Sequence, residues 1–463
     1  METYSPDVKS KQKSMTVKDL TERTVVGQQN DLRYQVDDNP GFVPSVLLGF
    51  QNVLTAFGGI IAVPLVIAGV AGLDVTMTAF TVSAGLLVSG IVSIIQSYGV
   101  GPKWFKVGSG LPTIMGTDFG FVAPANAVIN TMGGGMAGYV GGTFLGAIIE
   151  VVLSYFIKPL MRFFPPVVTG TVITLMGMTL MPVAFDWVGG GAGAADFGSL
   201  QNITIASFVF LVITVINHYA PKNIASAAVL IGMAIGYLVC IPFGLVDFAQ
   251  VINAPWFALP KILPFGIDLN PAYILPFLAG YLVTVIETVG VVQTIGQVTY
   301  QELTDDQIAA GVRCDGVGSM IGPVLGSGPV ATFSQNAGLI PLTKNASRIV
   351  AIFGGVILII MSLFPKFATL VSIMPTPVLG GAGILLFGTV AASGIQSLSK
   401  VPYNNRNLLI ISSSLAIGLG VSFKPELTAS LPGILNALFS SGISAGTIVA
   451  LFLNIILVEK KED

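Results

Sequence analysis

Glu287 stands in the run YLVTVIETVGVV, with apolar neighbours on both sides and no Lys or Arg within two turns. An acidic residue at the centre of a membrane helix costs about 2.5–3.5 kcal/mol on insertion scales, so such groups mark cavities, partners or proton sites. A lone deep carboxylate can bind and release a proton, or accept from a ligand NH; the rival is a neutral carboxyl bonded to a neighbouring helix. Asp315, within VRCDGVGS, offers the same chemistry, with a local ion pair to Arg313 as its rival. Asp118 lies in a glycine-broken stretch, where binding freed backbone NH groups competes with a ligand role. Glu150, within GAIIEVVLSY and two turns before Lys158, is expected to be structural and no ligand contact.

These acids belong to an unusually apolar chain. Of 463 residues, 53% are hydrophobic and 10% charged, and the mean hydropathy is +0.83. Soluble domains carry about 25% charged residues, so a water-soluble enzyme is excluded. The 55 glycines, scattered through apolar segments, suit close helix packing in lipid. A net charge of −2 argues against a nucleic-acid partner. With one histidine and two distant cysteines, Cys240 and Cys314, no zinc site, disulfide framework, Ser-His-Asp triad or other cofactor site is legible. The histidine, His218, reads as a surface residue.

A bilayer core needs about 20 helical residues. Fourteen candidate spans fit that length: roughly 45–70, 75–99, 107–127, 136–157, 165–185, 200–219, 223–247, 271–297, 306–325, 328–343, 346–364, 368–393, 405–423 and 436–458. The first 44 residues hold six Lys/Arg, seven Asp/Glu and no apolar run, and read as a polar cytoplasmic tail. With fourteen spans both termini share the cytoplasmic side, and 18 of the 21 Lys/Arg fall there. The positive-inside rule favours that arrangement, in a multi-pass protein of the plasma membrane, a bacterial inner membrane in particular.

Val107–Gly120 (VGSGLPTIMGTDFG) resembles Leu325–Gly338 (LGSGPVATFSQNAG). Gly-Ser-Gly at 108–110 coincides with 326–328 and Gly120 with Gly338, an offset of 218 residues, which sets Thr117-Asp118 opposite Gln335-Asn336. These are spans 3 and 10. Seven spans apart, the copies run in opposite directions, as in the inverted repeats of secondary transporters. Gly and Pro interrupt both copies. Non-helical backbone at membrane depth is tolerated where it is buried in protein or lines a cavity, and matched breaks in two halves point to a binding site at the midplane. Re-entrant linkers without a ligand are the rival. Phe119 and Phe333 flank the breaks, where they could stack on a planar ligand.

Residues Phe333–Arg348 (FSQNAGLIPLTKNASR) resemble the signature of the nucleobase–ascorbate transporter family, with Gln335, Asn336, Gly338 and Thr343 at its fixed positions. GFQNVLTAFGG in span 1, LPTIMGTDFGFV in span 3, ETVG in span 8 and CDG in span 9 resemble further segments of that family, in order. The resemblance implies an all-α membrane fold of two inverted seven-span repeats with short β-like pieces in spans 3 and 10. Spans 1–4 (45–160) and 8–11 (271–364) would form a core. Spans 5–7 (161–250) and 12–14 (365–458) would form a gate, and residues 459–463 a second cytoplasmic tail. It implies a homodimer importing a purine nucleobase, xanthine or urate, with a proton rather than sodium. Uracil, and an anion such as sulfate, are the alternative cargoes.

Carried over residue by residue, the resemblance makes Glu287 the base-binding glutamate and Gln335 the residue that sets substrate class. Asn336 and Asp315 become residues needed for transport. Phe119 becomes the third-span aromatic, Ser334 a site neighbour of Gln335, and Gln51 and Asn52 the span 1 pair. Three positions depart from the pattern: Asn52 where histidine is frequent, Val291 where aspartate is frequent in xanthine-type members, and Asp118 where Ser or Thr is common. The residue chemistry agrees. Glu287 can accept from a ring NH, and the Gln335 amide can pair with an N–H/C=O edge.

Overall fold

The computed structural model describes residues 32–457 except 162, 429, 433–434, 437–438 and 440. Residues 1–31 of the expected 1–44 tail, and the expected tail at 459–463, lie outside the described residues.

The chain is mainly helical. The first half comprises α1 (Phe42–Val70), α2 (Val75–Tyr98), β1 (Met115–Thr117), α3 (Val122–Asn126), α4 (Gly135–Leu153), α5 (Pro166–Thr179), α6 (Met181–Val188), α7 (Leu200–Tyr219) and α8 (Ala228–Cys240). The second comprises α9 (Ile274–Val298), α10 (Asp305–Val324), β2 (Val330–Thr332), α11 (Ser334–Thr343), α12 (Arg348–Ser362), α13 (Pro365–Ser372), α14 (Thr376–Leu398), α15 (Asn405–Phe423) and α16 (Gly442–Ile456). Local signals set the ends. Asp74 caps α2 by accepting from Met77 N at 2.7 Å. Thr304 and Gln307 form a capping box at α10, satisfying donors that the first helical turn leaves free.

Eight helices of the described residues are long and apolar enough to cross a membrane, nine if α12 and α13 are taken as one bent span. This count, by length and composition, is lower than the fourteen expected segments, of which spans 3 and 10 were expected to be broken. Expected spans 3 and 10 are part strand and part short helix. The expected span 368–393 is divided: α13 lies at 82° to α12, and Pro375 and Pro377 start α14 afresh. Helix α10 has 20 residues but carries Asp305, Asp306, Arg313 and Asp315. Apolar helices α8 and α16 are shorter than a bilayer core requires.

Helix pairings recur with the halves exchanged. Helix α2 packs on α12 and α4 on α10; α1 packs on α12 and α4 on α9. Helices α5 and α14 pack on each other, and α7 and α8 lie on α14 as α15 and α16 lie on α5. Small residues permit the close crossings. At α2–α12 a Cβ on Gly90 would stand 2.5 Å from Gly355 O, and one on Gly355 would stand 2.7 Å from Gly90 O.

The polar segment before α1 is shorter than expected and partly docked. Arg33 N donates to Lys344 O (2.7 Å), Ala346 N to Tyr34 O (2.9 Å) and Arg348 N to Val36 O (3.0 Å). Asp37 pairs with Arg348 at 2.6 Å, and Val36 is buried. Residues 33–37 thus form a strap along the loop between α11 and α12. Backbone groups drive this, each finding the partner that burial demands.

Candidate functional site

Strands β1 and β2 pair antiparallel, with Met115 opposite Thr332, Gly116 opposite Ala331 and Thr117 opposite Val330. Asp118 N to Pro329 O (3.1 Å) and Phe333 N to Ile114 O (3.0 Å) extend the ladder. Two serines one helix away tie the strands down: Ser93 of α2 accepts from Met115 N at 2.8 Å, and Ser319 of α10 accepts from Val330 N at 3.1 Å. Gly116 has no side chain because the Phe333 ring occupies that space. The strands open at Met115 and Val330, so the repeat runs 215 residues apart here rather than 218. The Gly-Ser-Gly match is real in sequence. Beyond it the second copy reaches its strand three residues sooner, which removes Gln335-Asn336 from opposite Thr117-Asp118.

Two threonines of α9, one turn apart, meet an acid of the first break and an acid of α10 that is bonded to the second break. Thr284 Oγ1 lies 3.4 Å from Asp118 Oδ2 while donating to Gly280 O at 2.7 Å. Thr288 donates to Asp315 Oδ2. Asp315 Oδ1 accepts from Thr332 on β2 at 3.1 Å. Gln96 on α2 donates to Thr332 Oγ1 (3.3 Å) and accepts from Ser109 N (3.1 Å) in the first break. One hydrogen-bonded chain thus joins α2, β2, α10 and α9. Buried acids are expected to be held this way.

Glu287 stands between Thr284 and Thr288, half-buried, without a hydrogen bond to any described residue. Asp118 and Asp315 are the acidic groups that interact with it electrostatically. Asp118 accepts from Gly120 N at 2.8 Å, as its backbone-binding rival supposed. The Arg313 alternative for Asp315 is overturned: Arg313 donates to Ser154 Oγ (3.1 Å) and Lys106 O (2.5 Å) and stacks on Tyr155. Lys158 pairs with Asp305 at 3.4 Å, and the Glu150 carboxyl is buried without a hydrogen-bond partner among the described residues.

The other sequence candidates surround this cluster unevenly. Asn336 Nδ2 donates to Asn52 O at 3.2 Å, while Asn336 Oδ1 and Gln51 Nε2 are buried without a partner among the described residues. Ser334 opens α11 half-buried, and Gln335 is exposed. Phe119 is buried in a T-shaped contact with Phe387 of α14, ring centroids 5.2 Å apart. His218 is exposed at the end of α7. Sequence motifs alone do not single out Thr284, Thr288, Thr332 and Gln96. The signal for the first two is their position around Glu287. A separate cavity of about 590 Å³, lined by Phe80, Leu87, Asn253, Lys261 and Thr369 among others, includes none of these residues.

Residues 44–427 match the Xan_ur_permease model, a permease family. The chain is 49% identical over 429 residues to a Clostridium perfringens protein provisionally named a purine permease, covering 93% of this chain and 94% of that one. It is 37% identical over 413 residues to the uric acid transporter UacT of Escherichia coli (89% and 85% covered). It is 35% identical over 418 residues to a xanthine permease of Bacillus subtilis (90% and 94%). Among solved structures, the transmembrane domain of the cyanobacterial bicarbonate transporter BicA superposes with a TM-score of 0.57 at 15% identity, covering 86% of this chain and all of that one. SLC26A9 superposes at 0.58 and 10% identity, covering all of this chain and 74% of that one. Those two likenesses concern the fold alone. A multi-pass helical membrane protein with paired broken segments, matched along most of its length by permeases, this chain belongs to the nucleobase–ascorbate transporter family.

Proposed function

We propose that the protein is a secondary active transporter that imports a purine nucleobase, xanthine or urate, together with a proton. The observation that carries this reading is the position of Glu287 between Thr284, which approaches Asp118 of the first break, and Thr288, which bonds Asp315 of α10, itself bonded to Thr332 of the second break. Glu287 is the acid left free to accept from a ring NH. Helix α11, with Gln335 in its first turn, starts from β2, so the amide that would read the base edge is fixed to the same junction. The names of the similar permeases support a purine cargo. An anion cargo fits less well. Three acids meet at the junction, and the nearest buried cation, Arg313, is directed to Ser154 and Lys106.

In this reading the fourteen segments form two inverted repeats with both termini cytoplasmic. The broken segments count as spans, and α1, α2, α4, α9, α10 and α12 form a core. Helices α5 to α8 and α14 to α16 form the gate, in a homodimer. The exchange symmetry of the helix pairings supports this division. Transport then moves the core, with base and proton bound, past the gate. A proton arriving with the base lowers the charge that crosses at membrane depth.

Uptake of labelled purines, pyrimidines and sulfate into cells or proteoliposomes tests the cargo; sulfate uptake in place of purine uptake would reject it. Purine uptake is expected to rise with external acid, collapse with a protonophore and continue when choline replaces sodium. Uptake that survives the protonophore and stops in choline would show sodium coupling instead. Gln335→Glu is expected to change the competition profile among xanthine, urate, guanine and uracil, because an acceptor-only carboxylate replaces a donor–acceptor amide. An unchanged profile would remove Gln335 from specificity.

A further inference from the structure

Glu150 is fully buried in α4, and neither carboxyl oxygen has a partner among the described residues. Its turn is fitted closely to the turn of α10 that carries Asp315. A Cβ on Gly316 would stand 3.0 Å from Val151 N and 3.2 Å from Ala147 O, so the helices meet on both sides of Glu150. Among the described residues, the titratable groups that interact electrostatically with it are Asp315, Asp118, Tyr281 and Cys314. None is a cation. The Tyr281 hydroxyl is committed to Thr143 O at 2.6 Å. Arg313 reaches α4 one turn further along, at Ser154, and Lys158 is held by Asp305. An ionised Glu150 would be an unpaired buried charge beside other acids, the least favourable state for such a group.

We propose that Glu150 is a proton-holding residue of the transport cycle: it carries a proton in the packed arrangement and passes it to and from the Asp315 cluster as the core moves past the gate. The inference rests on the proton-coupled reading above and adds a second acid to it, one that contacts no cargo. A partnerless carboxyl suits the role, because no hydrogen bond fixes its proton in place.

Glu150→Gln keeps the shape and neutrality of the protonated acid but has no proton to release. Purified protein in lipid, without cargo, is expected to show the infrared carbonyl stretch of a buried carboxylic acid, and Glu150→Gln to lack it. In proteoliposomes the variant is expected to keep purine-for-purine exchange and to lose accumulation driven by a pH gradient. A fixed structural acid would leave accumulation unchanged in the glutamine variant, and that result, or an unaltered infrared band, overturns the proposal. Should the glutamine variant fail to fold, Glu150→Asp is expected to retain accumulation with a displaced pH profile and a shifted band; a wild-type profile and band overturn the proposal. If the wild-type protein shows no proton-driven purine uptake, the transport reading falls, and the cargo-free infrared comparison still decides whether Glu150 holds a proton.

Discussion

Replacing Glu287 with glutamine is expected to abolish purine uptake while membrane abundance stays normal. Glu287 lies on the face of α9 that meets both breaks, with Thr284 near Asp118 and Thr288 bonded to Asp315. It makes no hydrogen bond to the described residues, so the fold does not depend on its charge. The substitution retains volume and one acceptor but removes both the second carboxylate oxygen and the exchangeable proton. A site built to bond a ligand NH discriminates by factors of about 10⁴–10⁵ when the matching group is lost. Uptake and binding, measured at matched abundance by immunoblot, check this. Wild-type uptake by the variant would move the binding site away from α9.

Gly90→Val is expected to damage the fold severely. The space a side chain would need at Gly90 is occupied by Gly355 O at 2.5 Å, Ile359 Cγ1 at 2.8 Å and Ile359 N at 3.0 Å. Two of these are backbone atoms and cannot turn aside. Overpacking a close-packed interior commonly costs about 1–3 kcal/mol and sometimes more, against a total stability of about 5–15 kcal/mol. The α2–α12 crossing positions both Ser93 and Gln96 under the strands, so the damage reaches the site. Gly420→Val in α15 is the control, since no atom lies within 4 Å of a Cβ there. Size-exclusion profiles and melting in detergent should show the Gly90 variant aggregated or melting far below the wild type, and the Gly420 variant close to it. Equal melting of the two variants would reject the packing argument.

Both breaks were legible because Gly and Pro crowd into apolar stretches where an unbroken helix would otherwise run, and the strands fall within them. The register of the repeat was not. Gly-Ser-Gly fixes only the start of each copy, and the length of chain between it and the strand differs by three residues. The Arg313–Asp315 pairing failed on helix geometry: residues two apart point to nearly opposite sides, whereas three or four apart are neighbours. Thr284 and Thr288 did not stand out because a threonine in a membrane helix usually bonds the carbonyl four residues back. Thr143, Thr171 and Thr447 do so here. Only the folded arrangement shows that two such hydroxyls also face acids on other segments.

The strap at residues 33–37 bears on how the chain is made. Its dock, residues 344–348, is synthesised long after it, so the strap must wait on its own side of the bilayer while the intervening segments enter. It can close only if the loop between α11 and α12 emerges on that same side, which requires an even number of crossings between them. A chain that skipped one insertion would strand Tyr34 and Asn345 on opposite faces, leaving Val36 in water and Arg348 without Asp37. The docked strap is therefore a parity check on membrane insertion, built from a few backbone hydrogen bonds and closed only on a correctly threaded chain.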